Sequence, residues 1–261
     1  EDSIESISLD SIELTRPLTE FQQKNIKCLI GMPNGANFSV PGAGKTLTTL
    51  SLWEFFRVQD VVERLLIVCP RSAFEAWESD SHMLIRRPVV KPFNDSPIEL
   101  ATEALYVNYE QLENETRLER LIKWSKQKPT MLVIDEAHRI KGGGASIRWR
   151  ACRELASHTK RVDLLTGTPM PQSQEDLRNL LSLSWNGLPR EFFSDARLSG
   201  LRRGGVFVRT TKKELQLPSM KITPVELPMT KVQNDVYAAL RQSFAGQFEF
   251  SNSDSNYFSR R

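Results

Sequence analysis

The chain has 261 residues, of which 39% are hydrophobic and 26% are charged, and its formal net charge is +3. These values are ordinary for a soluble globular protein, and the length is sufficient for one large α/β domain. No apolar stretch approaches the length of a membrane span, and the acidic start resembles neither a signal peptide nor a transit peptide. From the composition, we therefore do not expect a segment of this sequence to span a membrane.

The cysteines and the charge restrict the setting of the protein only weakly. Cys28, Cys69 and Cys152 are widely spaced and form neither a disulfide framework nor a zinc pattern. A reducing intracellular location is expected, which is cytoplasmic in a prokaryote or a virus-infected cell and nuclear in a eukaryote. A net charge of +3 permits a polyanionic partner without requiring one.

Short apolar strands alternate with helical stretches from Leu18 to about Thr168. This alternation predicts the α/β class, with a mostly parallel sheet and helices on both of its faces. The predicted strands are Ala36–Val40, Leu65–Cys69, Val89–Lys91, Leu105–Val107, Met131–Ile134 and Val162–Leu165. The predicted helices are Leu18–Ile30, Lys45–Phe56, Phe74–Asp80, Glu110–Lys126, Ser146–Ser157 and Ser173–Leu183.

The pattern changes after about Trp185. Residues 201–228 contain two strand-like pieces, and a further helix is predicted to begin after an N-cap at Thr230. The expected organisation is a polar lead-in at 1–17, one domain over 18–245 and a Ser- and Asn-rich linker at 246–261.

A glycine-rich segment, Ser39 to Thr46 with the sequence SVPGAGKT, follows the first predicted strand and opens a helix. It nearly matches the phosphate-binding loop G-x-x-x-x-G-K-[ST], with Ser39 in place of the first glycine. Backbone N–H groups of such a loop, together with the positive end of the helix, bind β- and γ-phosphates. Lys45 is expected to reach the same phosphates, and the Thr46 hydroxyl is expected to bind Mg²⁺. The loop residues predicted to hold the nucleotide are Pro41, Gly42, Ala43, Gly44, Lys45 and Thr46.

Two acids, Asp135 and Glu136, end the apolar strand that begins at Met131. Two carboxylates at the end of a strand suit a metal ion bound to a nucleoside triphosphate. We expect Asp135 to hold Mg²⁺, directly or through water, and Glu136 to polarise the attacking water. The proposed catalytic set is therefore Lys45, Asp135 and Glu136.

With Asp135-Glu136-Ala137-His138 in place, the chain resembles helicase superfamily two, and further segments resemble its Swi/Snf-type DNA translocases. The adenine-contacting segment of the family is similar to LTEFQQKNIKCL in this chain, and its motif Ia is similar to LLIVCPRSAFEAW. Its motif Ib is similar to LYVNYEQL, and its motif III is similar to LLTGTPMPQSQEDLRNLLSL. The resemblance spans roughly Leu18 to Leu240 in the family's order. It departs at four positions. Ser39 stands where the family usually carries an acid, and Gly142 stands where an Asn usually follows the lysine. Pro171 breaks the polar run after Thr-Gly-Thr-Pro, and Thr210 stands where an arginine is common.

This resemblance implies a RecA-like P-loop lobe, the first of two, with ATP and Mg²⁺ as cofactors. It implies that Gln22 contacts the adenine base, and that His138, Thr166 and Thr168 couple the nucleotide site to the DNA track. Arginine fingers come from a second RecA-like lobe in this family, so the isolated lobe is expected to hydrolyse ATP very slowly. Double-stranded DNA is the expected partner, because these motors follow the phosphate backbone. The candidate nucleic-acid contacts are Arg71, Ser72, Asn108, Tyr109, Thr168 and Gln172.

Two alternatives remain open from the sequence. One is another superfamily-two motor, either a DEAH-type RNA helicase or a restriction-enzyme translocase. RNA helicases of that superfamily usually carry Ser-Ala-Thr in motif III, whereas this chain has Thr166-Gly167-Thr168-Pro169. The other alternative is a non-catalytic interaction module that is gated by nucleotide.

Overall fold

The computed structural model describes residues 6–140, 142–169, 174–185, 207–215 and 228–245. The chain divides into two compact units, Glu1–Leu217 and Pro218–Arg261. In the described part of the chain, no helix combines the length and the apolar character that crossing a bilayer needs.

The first unit is built on one parallel sheet of six strands in the order β1-β6-β5-β2-β4-β3. This confirms the predicted α/β class. The strands are β1 Gly35–Asn37, β2 Arg64–Val68, β3 Val90–Pro92, β4 Ala104–Val107, β5 Thr130–Asp135 and β6 Arg161–Leu165. The helices are α1 Glu20–Ile30, α2 Lys45–Val58, α3 Phe74–Ser81, α4 Glu115–Lys126, α5 Ile147–Ser157 and α6 Gln174–Ser184.

Both faces of the sheet are covered, which explains why the central strands are apolar throughout. Leu66 and Leu132 face one core, and their neighbours Leu65 and Met131 face the other. The first core also contains residues of α4, α5 and α6, and the second contains residues of α1, α2 and α3. Because side chains alternate along a strand, each central strand contributes to both cores.

Helix boundaries follow local capping chemistry. Thr19 and Gln22 form a capping box at the start of α1, so this helix begins two residues later than the sequence predicted. The predicted helix Glu110–Lys126 is instead a 3₁₀ turn at Gln111–Glu113 followed by α4. The break occurs at Asn114, whose side chain accepts a hydrogen bond from the backbone of Arg117 and caps α4.

The edge strand β1 is shorter than the predicted Ala36–Val40, and the backbone after Asn37 forms hydrogen bonds with a distant segment. Phe38 N donates to Val208 O at 2.8 Å, and Val40 N donates to Thr210 O at 3.1 Å. Val208 forms a parallel bridge with Asn37. Residues 207–215, part of the predicted strand-like region, therefore cover the outer edge of β1.

Part of the segment predicted as a lead-in packs on this unit. Ile12 is buried, and Leu14 forms an antiparallel bridge with Leu84. The second unit contains a helix that the sequence predicted, α7 at Lys231–Ala245. Thr230 and Gln233 form its capping box, as their side chains accept hydrogen bonds from each other's backbone N–H. The predicted helix start at Ser173 and the linker at 246–261 lie outside the described residues.

Candidate functional site

The loop from Ser39 to Thr46 connects β1 to α2 and has the backbone of an anion-binding turn. Gly42 and Gly44 adopt left-handed conformations, with φ of +82° and +67°, and Gly44 is the N-cap of α2. Nothing lies within 4 Å of the position that a Cβ would take at Gly42. The loop thus leaves open space at the start of a fourteen-residue helix, where backbone N–H groups favour an anion.

The Lys45 side chain folds back over this loop. Its Nζ donates to Ser39 O at 3.1 Å and to Val40 O at 3.5 Å. Burial lowers the pKa of Lys45 below its ordinary value, while the carboxylates of Glu136 and Asp135 partly oppose that shift. Lys45 therefore lies close enough to both acids to interact electrostatically with them.

The register of the sheet explains this proximity. Leu165, at the end of β6, pairs with Asn37 on one side and with Asp135 on the other. Adjacent strands are about 4.8 Å apart, so the exits of β1 and β5 are separated by roughly 10 Å at one edge of the sheet. This places the glycine-rich loop and the two acids at opposite sides of a single narrow site.

Asp135 is held in place from several directions. Its Oδ1 accepts a hydrogen bond from Glu136 N at 2.9 Å, and its Oδ2 accepts one from the Trp77 Nε1 at 3.0 Å. The Tyr109 hydroxyl donates to the Asp135 backbone oxygen. Burial raises the pKa of Asp135, and the neighbouring Glu136 adds to this, whereas Trp77 and Lys45 act in the opposite direction. Glu136 itself has a left-handed backbone, with φ of +51°, which is unusual for a residue other than glycine.

His138 connects these acids to the end of β6. Its Nδ1 lies 3.0 Å from the Thr166 Oγ1 and 3.1 Å from the Glu136 Oε2. Thr166 Oγ1 also accepts a hydrogen bond from Thr168 N at 3.1 Å. The structure therefore brings the three predicted coupling residues and Glu136 into one continuous series of polar contacts.

Gln22 approaches the loop from α1. Its Oε1 accepts hydrogen bonds from the Thr19 N and Oγ1, both at 3.0 Å, and its Nε2 donates to Gly44 O at 3.4 Å. Gln22 is buried, so in this conformation its amide supports the glycine-rich loop. Thr46 is half-buried in the first turn of α2.

No three His, Cys, Asp or Glu side chains in the described part of the chain gather into a metal site. The oxygen ligands that the sequence predicted for the metal ion are one buried carboxylate, at Asp135, and one hydroxyl, at Thr46. This set fits Mg²⁺, which prefers oxygen ligands, retains waters and is commonly bound by one or two protein groups together with substrate phosphates.

A sequence model of the SNF2-related domain matches residues 34–188, more than half of the chain and all six strands. The chain belongs to the SNF2-related domain family. The matched range contains the glycine-rich loop, both acids and the His138–Thr166 contact, so the site lies inside the family domain.

Relatives of this SNF2-related domain include fungal proteins named chromatin-remodeling ATPase INO80. The protein of Mycosarcoma maydis is 27% identical over 191 residues, which is 64% of this chain and 10% of that protein. The protein of Emericella nidulans is 25% identical over 203 residues, which is 67% of this chain and 12% of that protein. The chain thus spans about a tenth of the length of these relatives.

Two solved structures of the Sulfolobus solfataricus SWI2/SNF2 ATPase core share the fold. One is a complex with double-stranded DNA and aligns with a TM-score of 0.67 at 22% identity, covering 92% of this chain and 55% of that chain. The other contains the core domain and aligns with a TM-score of 0.65 at 22% identity, covering 95% and 55%.

The predicted nucleic-acid contacts of the SNF2-related domain differ in their exposure to solvent. Arg71 and Ser72 lie exposed in a 3₁₀ turn after β2, and Thr168 is exposed after β6. Asn108 is half-buried, and its side chain accepts a hydrogen bond from the backbone of Gln111. Gln172 lies outside the described residues.

Tyr109 requires a correction. Its side chain is 0% exposed, and its hydroxyl is used by the Asp135 backbone. Full burial excludes the side chain from direct contact with nucleic acid in this conformation. Tyr109 was predicted from its resemblance to motif Ib and its place at the carboxyl edge of the sheet, whereas its side chain belongs to the core beneath the acids.

Two contacts of this site were missed from the sequence. One is the hydrogen bond from Trp77 to Asp135, although a buried indole N–H generally requires an acceptor. The other joins two of the positions that depart from the family pattern: Thr210 N donates to the Ser39 Oγ at 2.8 Å, and Asn25 donates to the Thr210 hydroxyl at 2.9 Å. No local signal predicts the second contact, because its partners are 171 residues apart.

Proposed function

We propose that this chain is the first, ATP-binding lobe of a Swi/Snf-type ATP-dependent translocase that acts on double-stranded DNA. One observation carries the proposal: Leu165 pairs with both Asn37 and Asp135, which brings the Lys45 loop and the acid pair to one edge of the sheet. Family membership supports an ATPase, and the names of the relatives and the DNA-bound structural neighbour support a duplex-DNA motor.

Each residue at this edge has a defined task in the proposed reaction. Backbone N–H groups from Gly42 to Thr46 bind the β- and γ-phosphates, and Lys45 neutralises their charge. Thr46 and Asp135 hold Mg²⁺, which neutralises the charge that develops on the phosphate oxygens during transfer. Glu136 orients the attacking water and accepts its proton.

Other residues support this chemistry. Gln22 holds the phosphate loop through Gly44 and becomes available to the adenine base if the capping contact with Thr19 opens. His138, Thr166 and Thr168 transmit the state of Glu136 to the edge where Arg71, Ser72 and Asn108 meet nucleic acid. The proposed lobe comprises residues 18–245. A second RecA-like lobe completes the motor by supplying arginine fingers.

Binding of a fluorescent ATP analogue tests the nucleotide site directly. The 261-residue chain is expected to bind the analogue in the presence of Mg²⁺, and Lys45→Ala is expected to weaken binding strongly. Glu136→Gln should retain binding, because that residue acts on water. Absence of Mg²⁺-dependent binding by the unaltered chain would rule out the proposed function.

The DNA assignment is tested on the full-length protein. We expect ATP hydrolysis to be stimulated by duplex DNA more than by single-stranded DNA or by RNA, and the 261-residue chain alone to turn over very slowly. Stimulation by RNA alone would favour an RNA helicase. Fast hydrolysis by the isolated chain would contradict the requirement for a second lobe.

A further inference from the structure

Two buried aromatic side chains hold the proposed metal-binding acid. Trp77, on α3, is 1% exposed and donates its indole N–H to the Asp135 Oδ2 at 3.0 Å. Tyr109, directly after β4, donates its hydroxyl to the Asp135 backbone oxygen. One contact fixes the carboxylate and the other fixes the main chain that carries it.

The contact from Trp77 is not a general property of tryptophans in this fold. The indole nitrogens of Trp53, Trp124 and Trp185 are also buried, yet none of them has a hydrogen-bond partner in the described part of the chain. A buried N–H without an acceptor is energetically unfavourable. That penalty occurs at these three tryptophans, whereas the indole N–H of Trp77 donates to one particular oxygen of Asp135.

The two aromatic residues reach Asp135 from different parts of the fold. The sheet order places β6 and β1 on one side of β5, and β2 and β4 on the other. The loop after β1 therefore approaches Asp135 from one side, and Tyr109 approaches from the other. Trp77, on α3, belongs to the core that contains residues of α2, whereas Tyr109 belongs to the other core, so the two residues support Asp135 from opposite faces of the sheet.

The hydrogen bonds leave part of the carboxylate available. A carboxylate has about four acceptor positions on its two oxygens. Glu136 N occupies one position on Oδ1, and Trp77 occupies one on Oδ2. The remaining positions have a fixed direction, because both oxygens are held. Partners of this kind, which orient a metal ligand without touching the metal, strongly affect metal affinity in proteins.

We propose that Trp77 and Tyr109 are positioning residues, which fix the Asp135 carboxylate in the orientation that binds the Mg²⁺ of a bound nucleotide. This inference rests on the proposed function, since it assigns the supports of a site that the proposed function defines. It also assigns Tyr109 a task in place of the nucleic-acid contact that its burial excludes.

The test measures Mg²⁺ dependence rather than activity. Trp77→Phe and Tyr109→Phe each remove one hydrogen-bond donor and keep an aromatic ring. For each variant of the 261-residue chain, a fluorescent ATP analogue is titrated at increasing Mg²⁺ and, separately, with excess EDTA. We expect the Mg²⁺ concentration for half-maximal effect to rise about tenfold. Affinity in EDTA, which depends on the phosphate loop, should stay within about twofold of the unaltered chain.

Matched controls separate positioning from loss of core packing. Trp124→Phe removes a buried indole whose nitrogen has no partner, and Tyr106→Phe removes a hydroxyl that only approaches Glu78 at 3.5 Å. Both controls should leave the Mg²⁺ titration unchanged. Thermal unfolding of all four variants shows whether they fold. If Trp77→Phe does not fold, Tyr109→Phe alone decides, because it changes only one oxygen atom.

The outcomes are distinct. A raised Mg²⁺ requirement with unchanged affinity in EDTA supports the positioning role. Equal losses with and without Mg²⁺, or a Mg²⁺ titration that matches the controls, overturn it and leave the proposed function intact. If the unaltered chain itself shows no Mg²⁺-dependent binding, the proposed function fails, and the positioning role fails with it.

Discussion

The Nδ1 atom of His138 lies 3.0 Å from the Thr166 hydroxyl, which joins the turn after β5 to the end of β6. The same nitrogen lies 3.1 Å from the Glu136 carboxylate. A neutral imidazole has one N–H, so Nδ1 can donate fully to only one of these acceptors at a time. His138 therefore lies between the carboxylate that is proposed to act on water and the hydroxyl at the end of β6.

A double-mutant cycle tests this link. His138→Ala and Thr166→Val each remove one partner of the hydrogen bond, and each is expected to lower duplex-stimulated ATP hydrolysis by the full-length protein on the order of fivefold. The double variant should fall no further than the lower of the two single variants, because both changes remove the same contact. Losses that multiply would show that the two residues act independently.

A methyl group at Gly44 should disrupt the loop through two effects. The φ of +67° is unfavourable for alanine, and the added Cβ would lie 2.4 Å from the Gln22 Nε2. Displacing Gln22 also breaks its contacts with Thr19. We expect Gly44→Ala to lower the free energy of unfolding by about 1–2 kcal/mol and to weaken nucleotide binding.

Two other glycines serve as controls for that experiment. Gly42 has the same left-handed backbone, but a Cβ there meets open space, so Gly42→Ala carries the backbone strain alone. Gly144 has open surroundings and no left-handed backbone, so Gly144→Ala should be nearly neutral. Thermal unfolding should rank the losses in the order 44, 42, 144. Equal losses at Gly44 and Gly42 would show that the contact with Gln22 is unimportant.

The Ser39 hydroxyl is expected to contribute to stability through Thr210. Ser39 is 0% exposed, and its Oγ accepts the Thr210 backbone N–H. Ser39→Ala leaves that N–H buried without a partner and should lower the free energy of unfolding by about 1–3 kcal/mol in urea denaturation. Ser51 is equally buried, but its hydroxyl has no partner in the described part of the chain, so Ser51→Ala should cause little change. A similar loss in both variants would contradict the assigned contact.

The response to acid should depend on Glu54. Burial alone would raise the pKa of Glu54, but hydrogen bonds and charges from Arg57 and Arg86 outweigh it and hold that pKa below its ordinary value. A carboxyl with a lowered folded-state pKa stabilises the fold above its unfolded-state pKa, and this contribution is lost as pH falls through the folded-state pKa. Glu54→Gln should therefore lower stability at pH 7 and reduce the loss of stability below about pH 4.5.

An exposed ion pair provides the control for the acid response. Glu63 pairs with Lys128, and about half of each side chain is exposed to solvent. Pairs of this kind contribute little to stability, so Glu63→Gln should follow the unaltered chain at every pH. The measurement is chemical denaturation from pH 3 to pH 8. Parallel curves for Glu54→Gln and the unaltered chain would rule out the proposed role of Glu54.

The sequence predicted those features that depend on neighbouring residues. Apolar runs that alternate with helical stretches predicted six strands, each within a few residues of its observed bounds. The glycine-rich turn and the acid pair marked the ends of two of these strands. The order of the strands, and therefore the Leu165 register that brings Lys45 and Asp135 together, was not predicted and comes from the structure. The periodicity of a strand does not specify its neighbour.

The features that were missed depend on contacts between distant parts of the chain. Burial of Tyr109 reflects how α4 and α5 cover the sheet, and the spacing of residues around it carries no sign of that. The contact between Ser39 and Thr210 was also invisible, although both positions were noted as departures from the family pattern. Ser39 and Thr210 form a hydrogen bond between uncharged groups, at two positions where the family commonly has charged residues.

Residues 207–215 also affect how fragments of this protein should be made. A fragment ending at residue 188, where the family match stops, would leave the N–H groups of Phe38 and Val40 without acceptors on an uncovered strand edge. Such an edge can recruit strands from other molecules, so the shorter fragment should aggregate during expression. Boundaries chosen for crystallisation or binding studies should therefore extend at least to Leu215.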